Sequence, residues 1–177
     1  MGHPTLPPHP NRALRLNPTV LRIAVAKITL VTNEKDSNLS PGGWAEFQDY
    51  DFNFYSQDGT LKPDNPAKVW CDKLLEVADR IGRTACPGSR LEGWVKDAGF
   101  ENVAVKKFKF PLGMWPKDPV LKEVGTCNLI QMLNGLEAFS MRLLCDGDGW
   151  SEEQVHVLLA QVRKEAKSSA AHIQYDM

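Results

Sequence analysis

From the turn Leu39-Ser40-Pro41-Gly42-Gly43 onward, the spacing of apolar residues switches back and forth between period 2 and period 3.6. Residues 44–50 alternate residue types as a strand does. Asn65 followed by Pro66 reads as an N-cap and first helical residue, after which Trp70, Leu74, Val77 and Ile81 recur at helical spacing until Gly82. Leu91, Trp94, Val95 and Ala98 predict a shorter helix closed by Gly99. Residues 103–110 follow as a strand in which the apolar residues change parity between Val105 and Phe108, so a bulge is expected near Lys106 and Lys107. Asp118 and Pro119 open a long helical stripe running through Leu129, Met132, Leu136 and Phe139 to Leu143, with a bend expected at Gly125 or Gly135. Ser151 and Gln154 form a capping box before Val155, Leu158, Leu159 and Val162, and residues 171–176 close the chain as a strand-like run. Such an order predicts a layered α/β domain, with a helical crossover between the strands at 44–50 and 103–110.

Ahead of the turn the chemistry differs. Residues 1–18 hold five prolines and little apolar material, which predicts a disordered arm. Residues 20–31 fit a helical stripe and a buried strand about equally well, and their type stays open. With 21 Lys+Arg against 22 Asp+Glu, the charge balance offers nothing to attract a nucleic-acid backbone or an anionic membrane, so neither is an expected partner. Cys71, Cys86, Cys127 and Cys145 form no C-x-x-C pair and have no histidines at ligand spacing, which predicts neither zinc nor a disulfide framework. No run approaches the roughly 20 apolar residues of a membrane span. A cytoplasmic or nuclear location is the expectation.

Four segments carry a resemblance: LSPGGWAEFQDYD at 39–51, DGTLKPDNP at 58–66, LEGWVKDAGFENV at 91–103 and WPKDP at 115–119. In wording and order they resemble the fungal class I S-adenosylmethionine-dependent methyltransferases that include regulators of secondary metabolism. The likeness covers about residues 39–176. It implies a Rossmann-like sheet in which 44–51 is the fifth strand, 103–110 the sixth and 171–176 the start of an antiparallel seventh. The helices at 65–81 and 118–166 would then contain the inserted cap over the substrate. The family's glycine-rich turn for S-adenosylmethionine is not found before Leu39, where Gly2 is the sole glycine. The resemblance therefore implies the C-terminal half of the fold without its N-terminal strands: a disordered arm over 1–18 and a partial methyltransferase-like domain over 19–177. Such a chain is expected to bind S-adenosylmethionine weakly or not at all, and to be inactive or weak alone. Its methyl acceptor would be a small molecule or a protein. The alternative is a non-catalytic module that pairs, through its exposed sheet edge, with itself, a related methyltransferase or a regulatory protein.

Glu46, Gln48, Asp49, Tyr50 and Asp51 stand in and just beyond the expected fifth strand, at the carboxyl end where open α/β sheets place ligands. Methyl transfer is an in-line displacement that needs a positioned nucleophile, and a carboxylate suits orienting or deprotonating a hydroxyl or amine. These five residues are the expected substrate contacts, although strand-end carboxylates equally often cap loops. Phe52, Phe54 and Tyr55 interleave with them and are expected in the core, as are Trp70 and Trp94. In the run Asp146-Gly147-Asp148-Gly149, Leu144 and Val155 would fall where a calcium loop needs carboxylates, so an interhelical turn is expected. His156 and His172 carry no functional expectation, and Lys106, Lys107 and Lys109 read as a solvated strand edge.

Overall fold

The computed structural model describes residues 44–177 and the backbone of one earlier strand, 24–28. Local signals set the helices. In α1 (Pro66–Arg80) the Asn65 side chain accepts from the Ala67 amide at 2.9 Å, and Gly82 supplies the positive φ beyond its end. Helix α2 (Gly88–Asp97) closes at Gly99, also at positive φ. Asp118 caps α3 (Pro119–Met141), and the capping box between Ser151 and Gln154 opens α4 (Glu152–Ser168). The stripes of α1, α3 and α4 meet in one core built on Trp70, Leu74, Leu136, Leu144, Leu159 and Val162. At its centre the Trp70 indole donates to Ser140 Oγ at 2.8 Å, and the Ser140 hydroxyl donates in turn to the Leu136 carbonyl. That chain of bonds satisfies two polar groups in an apolar interior.

Helix α3 is not bent at Gly125 or Gly135. It runs unbroken past both and is disturbed only by a π turn at Arg142–Asp146. Gly125 has a packing reason instead: a Cβ there would lie 2.1 Å from the Gly113 carbonyl oxygen, and the Gly113 amide donates to the Gly125 carbonyl at 2.9 Å. Residues 146–149 are the expected interhelical turn. Asp148 is held there by Arg80 at 2.7 Å, Lys73 at 3.2 Å and the Trp150 indole at 2.9 Å, which ties the turn to α1.

The strands form two small antiparallel sheets. β1 (Ala24–Ile28) lies between β2 (Trp44–Phe47) and β3 (Phe100–Val105), antiparallel to both, so β2 and β3 run the same way with α1 and α2 between them in sequence. Residues 20–31 thus contain a strand at 24–28, while the expected turn at 39–43 and the arm over 1–18 lie outside the described residues. Residues 48–50 are not strand, because the chain leaves the ladder after Phe47. The expected single strand over 103–110 is two strands. The parity change is a break rather than a bulge: β3 ends at Val105, and β4 (Lys109–Pro111) joins a second sheet with β5 (Gln174–Asp176). The terminal strand pairs antiparallel with this segment, Phe110 opposite Tyr175, but in a sheet separate from that of 44–47 and 100–105, whereas the resemblance implies a single sheet. Trp94 is 48% exposed rather than core, since Val95 is the residue that α2 buries.

Candidate functional site

The segment after β2 runs along the free edge of β5. The Asp51 amide donates to the Asp176 carbonyl at 2.9 Å, and Tyr55 and Gln174 exchange backbone hydrogen bonds at 3.0 and 2.9 Å. Helix α1 holds the same segment from behind: the Phe54 amide donates to Cys71 Sγ at 3.3 Å, and the Cys71 thiol donates to the Phe52 carbonyl at 3.4 Å. Burial pushes that thiol up to about 12, so it stays a neutral tether. Tyr175 of β5 is the hub of the resulting ring cluster. Its centroid lies 6.1 Å from Tyr50, 6.2 Å from Phe54 and 5.9 Å from Phe110, and Phe52 packs on Phe54 at 5.1 Å.

Helix α3 faces this aromatic wall with Asn128, Gln131, Met132 and Phe139, and between them lies a cleft of about 180 Å³. The Asn128 amide is anchored by donating to the Pro111 carbonyl at 3.0 Å. A second cleft of about 230 Å³ adjoins the first through Tyr50, Phe52 and Phe139, and reaches Asp49, Leu74 and Thr84. Burial, with the neighbouring Tyr50 adding to it, pushes the Tyr175 phenol up to about 12. Tyr175 therefore offers a neutral O–H near neutral pH.

The five expected contact residues divide. Tyr50 lines both clefts and Asp49 lines the second, where its carboxylate also accepts from the Tyr50 amide at 2.9 Å. Asp51 accepts from the Ser89 amide at 3.0 Å and so serves as a remote cap for α2, whose own N-cap, Pro87, has no side chain to do this. Gly88 leaves room for it, because a Cβ there would stand 3.1 Å from Asp51 Oδ1. Glu46 is exposed and accepts from the Gln48 amide at 3.0 Å, away from both clefts. Phe54 is core as expected, while Phe52 packs against the core and also fronts both clefts.

Sequence patterning did not single out Phe110, Tyr175, Met132 or Phe139 for the site, because each reads as an ordinary strand or helix-stripe residue. One local signal was available for Phe139: a glycine four residues earlier on the same helix face. A Cβ on Gly135 would come within 2.5 Å of the Phe139 ring, so the ring lies directly over that glycine. His172 is more engaged than its sequence context suggests. It stacks on Trp115 at 4.7 Å and 17°, bonds through Nδ1 to Asp58, and its amide donates to Thr60 Oγ1 at 2.8 Å. Two hydrogen bonds from Thr60 and the His172 contact hold the Asp58 carboxyl down at about 2. No described cleft opens on this group, which pins the 58–60 loop to the terminal strand.

The described residues do not fit S-adenosylmethionine. A glycine cradle for it would leave space that a Cβ would fill at a turn leading from a strand into a helix. Gly88, Gly125, Gly135 and Gly147 are each closed by the chain's own atoms, Gly113, between β4 and α3, is lined by Ala166, Ser169 and Trp115 at 3.7 to 3.8 Å, Gly93 lies within α2, and Gly59, Gly82, Gly99 and Gly149 stand in loops or beyond helix ends with nothing near them. No contact to that cofactor is assigned to these residues.

Among known proteins, the chain is 41% identical over 140 residues to methyltransferase pytC of Aspergillus terreus, covering 79% of this chain and 43% of that protein. It is 33% identical to the probable methyltransferase tdiE of Emericella nidulans over 77% of the chain and 43% of the relative. It is 27% identical to protein-methionine methyltransferase laeA of Chaetomium globosum over 72% and 40%. The chain thus spans about two fifths of the length of the curated relatives it matches. No family model matches it, and no solved structure does.

Proposed function

We propose, on the premise that this chain is a relative of the fungal methyltransferases, that it forms the acceptor-binding portion of an S-adenosylmethionine-dependent methyltransferase. The aromatic cleft between the 50–55 segment, the β4–β5 sheet and α3 carries this reading. Such clefts, apolar with a few converging polar groups, are where small acceptors are oriented. In this reading Tyr50 contacts the acceptor, and Asp49, on the lining of the adjoining cleft, is a carboxylate suited to taking a proton from a hydroxyl or amine. Asp51 supports the site by fixing the start of α2, and Glu46 and Gln48 lie further out on β2 and its exit. Helix α3, and with it the π turn, takes the place of the cap implied by the resemblance.

The cofactor-side portion is supplied by other residues than those described, and the chain alone is weak or inactive in methyl transfer. Two observations support this division: the closed or stray glycines and the 43% share of the first relatives. The test is transfer of a labelled methyl group from S-adenosylmethionine to whichever compound of a panel of small hydroxyl and amine acceptors the full-length Aspergillus terreus relative methylates. A chimera in which this chain replaces the matching portion of that relative is expected to transfer label, and the chain alone is not. Transfer by the chain alone at the relative's rate contradicts the division, and a folded but silent chimera contradicts the acceptor role. The pairing reading is favoured by one feature: Trp44 is 59% exposed on β2, an edge strand bonded on one side only to β1 among the described residues.

A further inference from the structure

Resting on the reading of the two adjoining clefts as the acceptor site, we propose that the acceptor is a small molecule bearing a basic amine, with Asp49 as the counter-charge that selects it. The sign of the lining carries this. Among the described residues no Lys, Arg or His lines either cleft, and Asp49 is the one carboxylate side chain that does. Met177, which carries this chain's terminal carboxylate, lines the first cleft and adds to the same sign. An anion entering here would lose water and find no partner, whereas an ammonium group finds a charge-assisted one.

The surroundings extend that sign beyond the lining. Cys86 sits between Ala85 and Pro87, both of which line the second cleft. Burial pushes its thiol up, the Asp51 and Asp79 carboxylates push it further, and Arg90 opposes them more weakly. The field at this rim is therefore negative even with the nearby guanidinium counted. Asp51 is committed to the Ser89 amide, and Asp79 stands on α1 beside Ala78 of the lining, so Asp49 is the carboxylate placed to meet a ligand directly.

The rings supply the rest of the site. Tyr50, Phe52 and Phe139 line both clefts, and Tyr50 and Phe139 are 43% and 51% exposed. The apolar body of an amine is buried against them, and ring faces attract a cation. A neutral hydroxyl reaches Asp49 equally well but makes the weaker hydrogen bond, because it brings no charge of its own.

Three probes of one shape separate the possibilities: 2-phenylethylamine, 2-phenylethanol and phenylacetate, each dialysed to equilibrium against the full chain at pH 7 and low salt, without cofactor. The amine is expected to bind saturably, at least fivefold tighter than the alcohol and at least tenfold tighter than the carboxylate. Asp49→Asn keeps an oxygen for the Tyr50 amide, so its thermal midpoint should match the parent's, while its affinity for the amine should fall to that for the alcohol. Asp49→Glu keeps the charge and should keep the preference. Equal binding of the three probes, tighter binding of the alcohol or carboxylate, no saturable binding of the amine, or an amine preference that survives in Asp49→Asn overturns the proposal. So does a preference lost as fully in Asp49→Glu as in Asp49→Asn. Because dialysis needs no methyl transfer, a working chimera that methylates hydroxyl acceptors alone would refute this inference and leave the acceptor role standing. Selective amine binding beside a silent chimera would refute the methyl-transfer reading instead.

Discussion

Asp51 shows how a residue that looks catalytic in sequence is used for structure. A carboxylate at the exit of a strand suits either role, and only the fold reveals that the orphan Ser89 amide is its partner. Asp51→Ala is expected to lower stability by about 1 kcal/mol, the usual worth of an N-cap. Urea midpoints check this, and an unchanged midpoint would contradict the capping role. The tyrosines make a second residue-scale test. Tyr175 is pushed up to about 12 by burial and Tyr50, and Tyr55 to about 12 by burial and by its hydrogen bond to Asp176. A folded-state pKa above the unfolded value near 10 means that the stability from each neutral phenol is complete below pH 10 and is lost as pH rises toward 12. Tyrosinate absorbance should therefore show Tyr55→Phe and Tyr175→Phe each removing a transition near pH 12, and transitions near 10 in both cases would contradict the packing described.

At the scale of elements, Gly125 carries the sharpest expectation. Alanine there drives a methyl group against the Gly113 backbone, which cannot swing away as a side chain tip can. Gly125→Ala should cost at least about 2 kcal/mol despite better helix propensity, whereas Gly135→Ala should not destabilise. Denaturant midpoints of the pair distinguish close packing from a general intolerance of α3. The helices were legible because their determinants are local: Asn65 with Pro66, Asp118 with Pro119, and Ser151 with Gln154 each mark a start within a few residues. The strands were less so. The parity change between Val105 and Phe108 signals an irregularity, but whether it is a bulge or a change of sheet depends on where β1 and β5 lie, and that is non-local. The aromatic wall was half legible. Tyr50, Phe52 and Phe54 share one short segment, but Phe110, Phe139 and Tyr175 reach it only through β-pairing and the docking of α3.

Over the whole molecule, the described residues form an α/β arrangement whose aromatic cleft is lined by the 50–54 segment, the β4–β5 sheet and α3. The near-neutral charge, -1 overall, is consistent with an apolar acceptor site and provides no long-range attraction for an anion. No described helix is long and apolar enough to cross a membrane. The proposed division between acceptor and donor portions rests on glycine placement among the described residues: those at positive φ end helices or shape loops, and those in close contact pack against the chain itself. Titration calorimetry of the full chain with S-adenosylmethionine tests this most directly. The expected result is no saturable heat at concentrations up to about a millimolar, corresponding to less than about 4 kcal/mol of binding free energy. One-to-one binding with micromolar affinity would contradict it.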